Sequence, residues 1–294
     1  MGFAVWSVAL LGASCDKKNP TEPTTGHAAE ASASPTAAAA PASLAGVDLS
    51  GLNAEQKEHF AKLADTLESP CGKAHSLRMS VNTDPDCKRA VFAARQVARR
   101  LIDELSEEEV TALYTARYGH AKTFSFDLSA SPFLGVPTAP LVLVEFFDYG
   151  CPHCKLFSPI LEDVLAEFPS DTVLYYKNFP LSAHLESVPA AIAAVCAQRQ
   201  GKFREMHKKL FANQDEHSKE DLFHYAKDIG LDMKKFEADF NDMKVRAKVM
   251  SDREEGAKSE VVGTPSLFIN GRQFTDPMTF DDIVSWVREE LAVR

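Results

Sequence analysis

Apolar side chains recur along this chain at two periods, and the change from one to the other divides it. Between residues 50 and 119 the period is helical. LNAEQKEHFAKLADTLESP places Phe60, Leu63, Ala64 and Leu67 on one face and stops at Pro70, and DCKRAVFAARQVARRLIDEL continues with Val91, Ala94, Ala98, Leu101 and Leu105. Stripes of this kind predict amphipathic helices. Ser106 with Glu109 three residues later is a capping box, which predicts a third, short helix through Tyr114. From residue 120 strands and helices alternate. KTFSFDL alternates polar and apolar as a strand does, APLVLVEFFDY is the near-continuous apolar run of a buried central strand, and DTVLYYKNFPL is a third strand. Phe157, Ile160, Leu161, Val164, Leu165 and Phe168 lie at helical spacing between the last two, with Pro159 expected to kink that helix.

Residues 184–260 predict a helical block, amphipathic near 187–198, 202–212, 218–229 and 232–258. SLFING followed by RQF predicts a hairpin turning at Asn270-Gly271, and residues 279–293 a closing helix. The expected organisation is a small all-helical region at 46–119, then an α/β domain at 120–294 with a helical insertion at about 184–260.

The N-terminus has a different pattern. MGFAVWSVALLGASC is an apolar run too short to span a bilayer and reads as an export signal over residues 1–15. The small residues before Cys15 resemble a bacterial lipoprotein cleavage box, after which Cys15 would carry lipid and anchor the chain to a membrane. A plain secretory signal and an uncleaved short anchor are the alternatives. Each places the body of the protein outside the cytoplasm, in a periplasmic or other extracytoplasmic space. Residues 16–45, rich in Ala, Pro, Ser and Thr, bury too little to offset chain entropy and are expected to be a disordered tether. Its root-mean-square reach is on the order of 30 Å.

Composition adds little to this and charge adds one exclusion. A chain of 294 residues with 45% hydrophobic side chains has ample material for a core. A net charge of -10 argues against a nucleic-acid partner, because phosphate binding needs a basic face. Lys88, Arg89, Arg95, Arg99 and Arg100 are a local exception, and on a helix they read as a solvated face.

The chemistry lies in the cysteines. Cys71 and Cys87 flank the loop between the first two helices, and a disulfide closing it stabilises by about 3 kcal/mol in the chain-entropy model. A zinc site there, with His75, lacks a fourth ligand. Cys196 lies in a small-residue helical run and reads as a small buried hydrophobe. Cys151 and Cys154 flank Pro152 and His153 in FFDYGCPHCKLF. Cys151 follows a strand and opens a helix, where free backbone N–H groups and the positive helix end lower a thiol pKa. Cys154 lies one turn deeper and can resolve a mixed disulfide formed on Cys151. His153 is a further donor to the thiolate, and a more stable thiolate makes the disulfide a stronger oxidant. Zinc would need a second ligand pair at suitable spacing, c-type haem would need His where Lys155 stands, and so short a ring is a poor staple. Redox chemistry is favoured.

EFFDYGCPHCKLFSPILEDV and VVGTPSLFING together resemble the thioredoxin superfamily, in its exported DsbA-like branch, over residues 120–294. The resemblance implies a thioredoxin fold with an inserted helical domain, preceded here by the all-helical region. It implies that Pro265 is cis and faces the disulfide, that Thr264 lines substrate through its backbone, and that Glu145 is a buried acid beneath Cys154 that takes its proton during exchange. It further implies cysteine-containing client proteins, a membrane quinone-linked redox partner, and neither metal nor cofactor. CPHC is typical of oxidases of this branch, whereas Thr before the cis-proline is more typical of isomerases. An exported thiol-disulfide oxidoreductase that introduces or exchanges disulfides is expected, its direction left open by these two features, with an isomerase or reductase kept reduced, or a non-catalytic client-binding module, as the alternatives.

Overall fold

The computed structural model describes residues 43–119 and 122–294. The expected export signal, Cys15 and nearly all of the expected tether lie outside them. Every described residue belongs to one compact unit.

Four helices come first. α1 (Ala54–Thr66) and α4 (Glu107–Tyr118) start at full capping boxes, Asn53 with Gln56 and Ser106 with Glu109. Between them lie α2 (Leu77–Thr83), which Ser76 caps, and α3 (Arg89–Ile102). Phe60, Leu63, Leu77, Val97, Leu101 and Tyr114 form their shared core. Leu44 is buried in it too, so order begins before the expected end of the tether. The short α2 was not expected, because seven residues between Ser76 and Asp84 hold too few turns to show a period. Cys71 and Cys87 form a disulfide. That removes two of the three ligands of the zinc alternative, and His75 instead faces Asp84 at 3.7 Å.

The α/β part runs β1 (Phe133–Gly135), β2 (Leu141–Phe147), α5 (Pro152–Glu167), β3 (Thr172–Asn178), α6 (Ser187–Arg199), α7 (Phe203–Ala212), α8 (Lys219–Asp228), α9 (Met233–Phe240), α10 (Met243–Lys258), β4 (Ser266–Ile269), β5 (Arg272–Gln273) and α11 (Phe280–Ala292). The sheet order is β1-β3-β2-β4-β5, with β2 and β3 parallel and every other pair antiparallel. Central β2 is apolar on both faces because both are covered. Leu141, Leu143 and Phe147 meet the large core of α5, α6, α7 and α11, while Val144 and Phe146 meet Phe179, Val261 and Phe268 on the other side. Asn270 and Gly271 both have positive φ, as a two-residue hairpin turn requires. A Cβ on Gly271 would lie 2.2 Å from the Phe124 carbonyl oxygen, so only glycine fits.

Three expectations are corrected. KTFSFDL is not a strand and makes only an isolated bridge, Thr123 to Arg272. Its alternation reflects Phe124 and Phe126 packing edge-on against Phe268 across the sheet face, so one side is partly buried without ladder pairing. The segment 232–258 is two helices, because Asn241 ends α9 and the Asp242 side chain accepts from Lys244 N–H to open α10. The basic stripe on α3 is solvated only at Lys88 and Arg95. Arg100 is 4% exposed and pairs with Asp282 and Asp276, and Arg89 pairs with Glu289 and Glu290. Arg117 on α4 is 1% exposed and joins Asp276 to Glu289. A single helix shows only that its charges lie opposite its apolar stripe. That α11 and the loop before it bring four acids to meet them is a property of the packing.

Candidate active site

The site forms where β2 ends. The chain leaves Phe147 through Asp148, Tyr149 and Gly150 and enters α5 with Cys151 as N-cap and Pro152 in the first helical position, where a missing N–H costs nothing. Asp148 is buried and ties this loop down. Its Oδ1 accepts from Gly150 N–H at 2.9 Å, and its Oδ2 accepts from Leu181 N–H at 3.0 Å and lies 2.6 Å from His184 Nδ1. Gly150 has no room for a side chain, since a Cβ would lie 2.6 Å from His184 Cβ. Gln214, from the helical insertion, donates to the carbonyls of Tyr149 and Cys151 at 2.8 and 2.7 Å. The Tyr149 hydroxyl meets His207 Nδ1 at 3.0 Å, and Ser158 meets Nε2 at 3.3 Å. Burial lowers the His207 pKa to about 3, so a neutral imidazole spaces α7 from α5.

The two candidate sulfurs are free thiols with unlike surroundings. Cys151 keeps 4% of its surface exposed and Cys154 none. Cys151 is lowered to about 5, mainly because the Cys154 thiol donates to its thiolate. Burial works against that, and the Thr264 side chain and the backbone N–H groups of Cys154 and His153 add to it. Cys154 is pushed far up, first by burial, then by its bond to Cys151 and the charge of Glu145. Asp148 N–H points at Cys154 Sγ from 3.5 Å.

The Thr264–Pro265 peptide is cis and places Thr264 against Cys151. The Cys151 thiol donates to the Thr264 carbonyl oxygen at 3.3 Å, while the buried Thr264 hydroxyl has no hydrogen-bond partner. His153 contributes its backbone N–H, and its imidazole is exposed. Glu145 lies in central β2 between Tyr176 and Leu267. It is 1% exposed, and neither carboxyl oxygen has a hydrogen-bond partner. Burial, and then the Cys151 thiolate, raise it to about 8. A buried acid that titrates near neutrality close to a buried thiol can take and return that thiol's proton.

A folded pKa raised above the unfolded one adds stability that is fully present below the unfolded value, about 4.5, and is lost as pH rises through about 8. Cys151, whose pKa is depressed, slopes the other way, so the Glu145 effect shows in a difference. The stability of Glu145→Gln relative to wild type, measured by urea unfolding under reductant, is expected to rise from about pH 5 to 8. The rise is at most about 1.4 kcal/mol per pH unit. A pH-independent difference would mean that Glu145 is ionised throughout.

Asp148, His184, His207 and Gln214 were not singled out from the sequence. Asp148 carried a signal, a charge directly after an apolar strand. The others lie in ordinary amphipathic or loop sequence, and only the fold brings them to the site. Cys196 is buried away from solvent, with its thiol pushed up to about 12, mainly by burial. No helix among the described residues is long and apolar enough to cross a membrane.

A family model described as thioredoxin matches residues 127–289. Among solved structures, the chain is similar to oxidised BdbD from Bacillus subtilis, at a TM-score of 0.53 and 25% identity over 58% of this chain and 98% of that one. The thiol-disulfide exchange protein alpha-DsbA2 from Wolbachia pipientis shares the fold, with a TM-score of 0.51 and 24% identity over 56% and 88% of the two chains. Curated relatives include the Na(+)/H(+) antiporter NhaA 1 of Mycobacterium sp. (strain KMS), 39% identical over 49% of this chain. The chain spans only 24% of the length of that relative.

Proposed function

This chain belongs to the thioredoxin family, with a domain of the DsbA-like thiol-disulfide oxidoreductase type, and we propose that it oxidises dithiols of client proteins through Cys151 and Cys154. The observation that carries this reading is the asymmetry of the pair: a thiol lowered to about 5 beside one pushed far up, over an unpartnered acid. Stabilising the Cys151 thiolate stabilises the reduced state and makes the disulfide a better oxidant. Thr264, which the family resemblance associates with isomerases, here helps to lower the Cys151 pKa and works in the same direction.

In the oxidised form, a client thiolate attacks Cys151 Sγ. The Cys151–Cys154 bond breaks, its electron pair leaves on Cys154, and the Glu145 carboxyl protonates that sulfur. A second client thiolate then attacks the first client sulfur. The mixed disulfide breaks, Cys151 leaves as the stabilised thiolate, and the client holds the new disulfide. Two electrons now reside on Cys151 and Cys154. A two-electron acceptor must remove them, and a membrane quinone-linked partner is the class that the family resemblance supplies. The Cys71–Cys87 disulfide supports an oxidising, extracytoplasmic compartment.

Client chain has a place to lie. A groove of about 280 Å³ beside Cys151 is lined by His153, Leu156, Phe157, Ile160, Pro265 and Met278. Chain flanking a client sulfur that reaches Cys151 can lie here. Leu156, in this lining, is exposed.

The reading is tested by two measurements on the reduced protein. The alkylation rate of Cys151 is expected to be half-maximal near pH 5 and flat above about 6.5. The Cys151–Cys154 potential is expected nearer the strong-oxidant end, about -120 mV, than the thioredoxin end, about -270 mV. A potential at the thioredoxin end would make the protein a reductase.

A further inference from the structure

Asp276 joins the N-terminal helices to the groove. Its side chain has no exposed surface. Its carboxylate accepts from Gln96 Nε2 and Arg117 Nη1, each at 2.6 Å, and from Trp286 Nε1, with Arg100 Nη2 at 3.4 Å. Three of these four partners belong to α3 and α4. Met278, two residues on, lines the groove together with His153 and Pro265. Pro277 between them has a fixed φ, and its carbonyl accepts from Thr279 N–H at 2.7 Å. Beyond Met278, Thr279 caps α11 through Asp282, which Arg99 and Arg100 hold from α3. Met278 is therefore bracketed by two carboxylates whose cationic partners come from the N-terminal helices.

From this we infer that α3 and α4 set the position of Met278, and with it the fit of the groove to client chain. Gln96, Arg100 and Arg117 are positioning residues for client recognition, acting through Asp276 and Asp282. The inference rests on the groove being the client site. A displaced wall weakens contacts along the client chain and leaves the sulfur chemistry as it was, so the effect falls on KM for peptides and not on reaction with a small dithiol.

The test is Gln96→Leu, which removes one neutral donor and keeps every ion pair. Oxidation of a reduced peptide dithiol is expected to show a KM raised by roughly three- to tenfold. Its kcat, its rate with dithiothreitol and its potential stay at wild-type values. Met278→Ala is expected to raise KM similarly, and the double variant no further than the larger single effect, because both act on one wall. An unchanged KM in an active Gln96→Leu protein overturns the inference alone. Equal slowing toward peptide and dithiothreitol, or fully additive effects, also overturns it. A wild-type chain that oxidises no peptide dithiol overturns the oxidase reading and this inference with it.

Discussion

Replacing Cys151 by serine is expected to lower the rate of peptide dithiol oxidation by at least about a thousandfold. A serine hydroxyl is not ionised near neutral pH and cannot form the exchangeable bond. The remaining sulfur cannot substitute for it, because Cys154 has no exposed surface and its thiol is held protonated by burial and by Glu145. Cys154→Ala should behave differently. Its Cys151 can still attack a client disulfide, but nothing resolves the product, so a mixed disulfide with client accumulates and is visible as a mass adduct. The measurements are the oxidation rate of a reduced, fluorescently labelled peptide for Cys151→Ser, and intact mass after incubation with the same peptide in its disulfide form for Cys154→Ala. If Cys151→Ser keeps wild-type function, the protein is a client-binding module on a thioredoxin scaffold and the disulfide is incidental.

The second large effect lies away from the sulfurs. Arg117→Met is expected to destabilise the protein by about 3–5 kcal/mol, because removing one partner of a buried ion network strands the others. Arg117 is 1% exposed, bridges Asp276 and Glu289, and stacks over the Trp286 ring at 4.4 Å. Its loss leaves two buried carboxylates short of a cation and removes a cation–π contact. At roughly 2–4 °C per kcal/mol for a protein of this size, thermal unfolding should shift down by about 10 °C. A loss below about 1 kcal/mol would mean that these charges are effectively solvated. Because the network binds the N-terminal helices to α11, both parts are expected to unfold in one transition.

The residues of the candidate site were legible for a local reason. A CxxC pair opening a helix after an apolar strand needs only neighbouring residues to define it. Glu145 announced itself as a charge inside an apolar run, and Asn270-Gly271 as a hairpin turn. The order of strands and helices followed from periodicity, and α5, α6, α7, α8 and α11 lie where the spacing placed them. Even the error at KTFSFDL came from a correct observation, since alternate side chains there are partly buried, though against a sheet face. Local sequence determined which segments form elements, which faces are apolar, and that Cys151 sits at a helix N-terminus.

Other properties required residues far apart in the chain to meet. Thr264 reaches Cys151 only because β4 pairs with β2, and Gln214 reaches the Cys151 carbonyl only because the helical insertion folds back. The basic stripe of α3 looks the same in sequence whether it faces water or four carboxylates. Burial and partnering set the energy of a charge, and neither is a property of its neighbours in sequence. By itself the sequence determined most of the elements and the placing of two cysteines one turn apart at a helix N-terminus. The tertiary structure decided the unequal acidity of the two thiols and the attachment of the N-terminal helices to the groove, because both depend on the dielectric and partners that distant segments supply.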